Sequence, residues 1–195
     1  MAETIVNIAG YRFVDLPDRD ELRASMIAAC TASDLRGTIL LAHEGINFFL
    51  AGRQEGIDRF LSFLDQDVRF LDIPLKISQT DYQPFNRMNV RLKKEIISLG
   101  MDEVKPADFT GESIAPTEFK KWLDEGKAVT VLDTRNDYEI RLGTFQNALD
   151  LDITSFRAFP AAVDAMPDEL KDTPVVMFCT GSDFESENTQ ICHLI

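Results

Sequence analysis

Two apolar runs, residues 38–42 and 46–52, are separated only by His43-Glu44-Gly45. Runs this close, with a glycine between them, favour a β-hairpin. The hairpin sets the order of what surrounds it. Residues 4–14 are rich in strand formers. Asp18 or Asp20 can cap a helix that carries Leu22, Met26, Ile27 and Ala29 on one side. Beyond the hairpin, Ile57, Phe60, Leu61 and Leu64 recur at helical spacing, and residues 74–78 read as a fourth strand. The order βαββαβ is that of a ferredoxin-like domain. Residues 91–100 read as a further strand leaving it, so the first domain is expected over 1–100.

Residues 101–113 are polar, with Pro106 and Gly111, and read as a linker. The second domain, 114–195, changes style. Pro116 suits the first turn of a helix whose buried face is Phe119, Trp122 and Leu123, and Gly126 ends it. Residues 128–133 are apolar on both faces, as parallel strands are. A short helix at 136–142, a strand near 148–151, a helix over 155–166 and a strand over 174–179 follow. Such alternation predicts an α/β parallel sheet, so the fold class is α/β with an α+β N-terminal part.

A chain of 195 residues can bury cores for two small domains. Its formal charge of −13 argues against nucleic-acid binding by the whole surface. A local basic tract remains, with Arg87, Arg91, Lys93 and Lys94 close together. Those cations suit phosphates, and Tyr82 and Phe85 just before them can stack on bases. The plainer reading is a solvated strand edge whose lysines discourage aggregation. No run has the apolar length of a membrane span and no signal peptide opens the chain. Three cysteines, Cys30, Cys179 and Cys192, are too few and scattered for a disulfide framework or a zinc cluster. A reducing, cytoplasmic setting follows. Cys192 and His193 offer two metal ligands at most, and no metal or cofactor motif is identifiable. His43 and Glu44 are acid–base residue types in what should be an exposed turn.

The strand at 174–179 delivers Cys179 into a turn at the edge of a parallel sheet, where α/β proteins place reactive groups. Backbone N–H groups and a following helix would favour the nucleophilic thiolate there. The alternative is a buried cysteine at a strand end. A cysteine-phosphatase reading fails on charge, because the position that needs a phosphate-clamping arginine is Glu185.

The segment 132–148, with Asp133-Thr134-Arg135-Asn136 and Gly143-Thr144-Phe145, resembles the signature of rhodanese-like domains. Together with the front half and Glu44-Gly45-Ile46-Asn47, it resembles the rhodanese-related bacterial tRNA uridine hydroxylases over roughly residues 4–181. The resemblance implies 5-hydroxylation of the wobble uridine of tRNA, with molecular oxygen as co-substrate and tRNA as partner. It implies Cys179 as the catalytic thiol, Thr180 and Gly181 as the active loop, and Asp133 and Arg135 as scaffold beneath it. A sulfurtransferase carrying a persulfide on Cys179 is one alternative, and an inactive fragment that at most binds RNA or protein is another. After Gly181 the chain departs from the family pattern. Phe184 stands where the loop arginine is expected, and Glu185 where a second loop cysteine is. A frameshift or premature stop would produce this, leaving the rhodanese-like domain incomplete. Asp183, Glu185 and Glu187 add negative charge beside the thiol, and weak or absent catalysis is the expectation.

Overall fold

The computed structural model describes residues 4–97, 99–101, 113–171, 173–179 and 191–194. The chain divides into two compact units, formed chiefly by Met1–Ile97 and Asp108–Ile195.

In the first unit the elements are β1 (Ile5–Phe13), α1 (Arg19–Ala32), β2 (Arg36–Ala42), β3 (Gly45–Gly52), α2 (Gln54–Leu64), β4 (Leu75–Thr80) and β5 (Met88–Leu92). The sheet order is β4-β1-β3-β2-β5, antiparallel except that β5 runs parallel to β2. This is the ferredoxin-like arrangement with one strand added. The predicted hairpin is present: Ala42 pairs with Gly45 across His43 and Glu44. Gly45 is required there. Its φ is +150°, and a Cβ would come within 2.0 Å of the Arg12 carbonyl oxygen.

Alternation along β3 sends Ile46, Phe48 and Leu50 inward. They join Met26, Cys30, Ile57 and Phe60 of the two helices in one core. Phe48 and Phe60 meet edge to face, centroids 5.9 Å apart.

The added strand lies at 88–92, not over 91–100 as its apolar residues suggest. Val90 fills the core, and the Lys93 N–H reaches the Leu41 carbonyl. Past that point the Glu44 carboxylate accepts the Ile96 N–H at 2.6 Å and draws the chain away from the ladder. Asp18 precedes α1 but does not cap it with its side chain. Its carboxylate receives the Arg69 guanidinium instead, Nη2 to Oδ2 2.8 Å, and Arg69 also binds Asp67. A charge-assisted fork outcompetes a single backbone N–H.

The second unit contains β6 (Ser113–Ile114), α3 (Pro116–Asp124), β7 (Thr130–Asp133), α4 (Asp137–Ile140), β8 (Leu149–Asp150), α5 (Phe159–Asp164), α6 (Asp168–Lys171), β9 (Val175–Phe178) and β10 (Ile191–Leu194). The order is β6-β10-β9-β7-β8. Strands β8, β7 and β9 are parallel, as alternation with helices predicts. The sheet is mixed overall, because β10 returns antiparallel to both β9 and β6.

Helix α3 ends as expected at Gly126, φ +66°. The Lys127 and Gly126 N–H groups satisfy the Trp122 and Leu123 carbonyls. Its buried face is narrower than predicted: Phe119 is buried, Trp122 half-buried, and Leu123 40% exposed. The predicted helix over 155–166 is broken into a 3₁₀ turn, Phe156–Ala158, and α5. Pro160, lacking an N–H, starts a helix rather than continuing one.

Candidate active site

Strands β7 and β9 are parallel neighbours, and Asp133 pairs with Phe178 at their C-terminal ends. One step further, the Thr134 N–H and hydroxyl both donate to the Phe178 carbonyl, at 3.1 and 2.9 Å. Cys179 therefore emerges one residue past the ladder, beside the segment Asp133-Thr134-Arg135. Its thiol is exposed. This is the carboxyl edge of the parallel strands, where such sheets carry their chemistry.

Asp133 is fully buried and its carboxylate is saturated. Oδ1 accepts the Arg135 backbone N–H at 3.1 Å and Nε at 2.9 Å. Oδ2 accepts Arg135 Nη2 and the Thr144 hydroxyl, both at 2.7 Å. Burial alone would raise the Asp133 carboxyl, but these hydrogen bonds and the guanidinium charge prevail and hold it below the usual carboxylate range. A carboxylate with four donors has no lone pair left for proton transfer. Its work is to hold Arg135.

Arg135 donates further to the Gly143 carbonyl at 2.6 Å. Its guanidinium lies 5.4 Å from the Phe178 ring centroid. The Asp133 hydrogen bonds raise its pKa, and charge on Glu139 and Cys179 reinforces this. A fixed cation thus lies within electrostatic reach of the Cys179 thiol. Phe145 anchors the 143–145 segment by packing edge to face on Phe119 at 5.7 Å and on Phe178 at 4.8 Å.

Glu139 is half-buried and accepts the Asn136 N–H at 3.2 Å at the start of α4. Arg141 is exposed and pairs with Asp137 at 2.7 Å. Thr180, Gly181, the acidic stretch after them, and the side chains of Cys192 and His193 lie outside the described residues.

The basic tract belongs to the first unit. Arg87 precedes β5, Arg91 lies in it, Lys93 and Lys94 follow, and all four are exposed. Tyr82 is exposed and Phe85 half-buried.

The protein family described as the UPF0176 acylphosphatase like domain matches residues 5–96. A tRNA uridine(34) hydroxylase of Thiobacillus denitrificans is 47% identical over 183 residues, covering 91% of this chain and 74% of that protein. The chain belongs to the tRNA uridine(34) hydroxylase family. Another member, from Cupriavidus taiwanensis, is 50% identical over 182 residues. The chain spans 64% of that protein's length, and 91% of the chain is covered. The acylphosphatase-like match coincides with the first unit, so in this hydroxylase family member the ferredoxin-like reading holds.

The sequence pointed to Cys179, Asp133 and Arg135, and the structure brings the three together. It missed Thr144 and the Gly143 carbonyl as the pair's other partners. The signal was available in Gly143-Thr144-Phe145: a hydroxyl between a glycine and an aromatic that returns to the strand end.

Proposed function

We propose that this chain acts in tRNA modification in the cytoplasm, placing a hydroxyl at C5 of uridine 34, with molecular oxygen as co-substrate and Cys179 as the reactive thiol. One observation carries the reading: an exposed thiol stands at the carboxyl edge of parallel strands, beside a cation that a buried carboxylate holds in place. The names of its relatives supply the substrate class. In this reading Asp133 and Arg135 position the strand end and the charge near it, and Thr180 and Gly181 belong to the active loop that follows Cys179. Arg87, Arg91, Lys93 and Lys94 neutralise tRNA phosphates, for which an acidic protein needs local cations.

The test is nucleoside analysis of tRNA from a strain that lacks the homologous gene and carries this chain. Restored 5-hydroxyuridine, at a reduced level because Phe184 stands in place of the loop arginine and lost again with Cys179→Ser, is the expected result. Its absence in a folded, expressed chain rejects the reading. Thiocyanate formed from thiosulfate and cyanide, without hydroxyuridine, assigns the thiol to sulfur transfer instead.

A further inference from the structure

None of the five strands of the first unit contains an aspartate or glutamate, although the chain as a whole carries a formal charge of −13. One face of this sheet is packed against α1 and α2. The opposite face bears aromatic side chains on its adjacent strands β1 and β3. Tyr11 is 48% exposed and Phe49 51% exposed, whereas Phe48, one residue away, is 0% exposed. Phe13 continues the aromatic row, its ring edge-on to Tyr11 at 5.9 Å.

The register sets what lies beside them. Tyr11 pairs with Asn47, Asn47 with Leu40, and Leu40 with Arg91, so the tyrosine and the arginine share one row across the sheet. Phe49 stands in the next row, opposite Thr38, which pairs with Asn89. Tyr11 and Phe49 are therefore diagonal neighbours, a relation that puts backbones about 7–8 Å apart. Asn47, between Tyr11 and Leu40 in that row, donates to the Ile96 carbonyl at 3.4 Å, so the chain after β5 lies against the face between the tyrosine and the arginine.

We propose that this open face holds single-stranded RNA, with Tyr11 and Phe49 each stacking on one base and Arg91 meeting a phosphate. A four-stranded sheet with aromatics on its face is an established way to stack two or three unpaired bases. Stacking needs exposed rings and cations at the row's end, and the face has both, with no carboxylate in its strands. The choice of RNA over a protein partner rests on the tRNA reading above, and the charge of the face agrees with it.

The experiment measures binding of a fluorescent single-stranded oligoribonucleotide of about eight nucleotides to the full chain. Tyr11→Ala and Phe49→Ala are each expected to weaken binding about tenfold, with melting temperature unchanged. Tyr11→Phe and Phe49→Tyr retain affinity, since a ring is what the site uses. Phe49→Trp adds a direct reporter, its fluorescence quenched when RNA is added. Wild-type affinity in the double alanine variant, or no quenching, overturns the proposal. The two readings separate cleanly. RNA binding that depends on these rings, without hydroxyuridine in the complemented strain, sinks the catalytic reading alone. Hydroxyuridine formed normally by a double variant of unchanged RNA affinity sinks the stacking site alone.

Discussion

Thr144 donates its hydroxyl to Asp133 Oδ2 at 2.7 Å, across a separation of eleven residues. The contact supplies the fourth donor to a carboxylate with no access to water. Thr144→Val keeps the side-chain shape and removes only that donor. The cost is expected to be about 1–3 kcal/mol, the range for a buried acceptor left short of a partner. Hydrogen exchange of the β7 and β9 amides reads it locally, and unchanged protection there would show that the contact does not brace the strand end. Asp133→Ala should cost more, about 3–5 kcal/mol, because it strands the Arg135 charge.

The same carboxylate makes the second unit acid-sensitive. Its pKa is lowered in the folded state, so its stabilising effect is present above the unfolded value of about 3.9 and is lost as pH falls through the folded value. Thermal melts between about pH 6 and pH 3 should show a smaller acid-induced loss for Asp133→Asn than for wild type. Equal losses would place the acid sensitivity elsewhere, with Asp18 and Asp67 next, since Arg69 holds both below the usual range.

Cys30 and Cys179 should separate sharply by reactivity. Cys30 is buried among core side chains, and burial pushes its thiol up to about 12. At about pH 8 its thiolate is then roughly one part in ten thousand. Peptide mapping after brief iodoacetamide treatment of the native chain should find Cys179 carboxamidomethylated and Cys30 untouched until denaturant is added. Early labelling of Cys30 would mean that the first unit opens readily.

Charge reversal tests the basic tract. Arg91→Glu and Lys93→Glu should each weaken tRNA binding and reduce the slope of log affinity against log salt by about one. An unchanged slope would leave these side chains as a solvated strand edge.

The hairpin and the helices around it were legible because their cues are local. Two apolar runs, a two-residue turn and a glycine with one acceptable conformation decide 36–52 without help from the rest of the chain. The fifth strand was misplaced because an apolar run does not state its register. Val90 belongs to the sheet and Ile96 does not, owing to backbone bonds from β2 and a side chain, Glu44, that the run itself does not contain. Cys179 and Asp133-x-Arg135 were legible as strand-end motifs. Thr144 was legible only as part of the run Gly143-Thr144-Phe145, without its role, since its partner lies beyond an intervening helix. Tyr11 and Phe49 were hidden among strand-forming residues until the burial of each face was known.

Because side chains alternate along β9, Val176 and Phe178 face one layer and Met177 the other, and the thiol clears the ladder by a single position. Distance along this strand is thus counted in whole residues. A one-residue deletion between 174 and 179 would exchange the two layers and draw Cys179 back opposite Asp133. Variation in this lineage should therefore tolerate changes of size within β9 far better than changes of length.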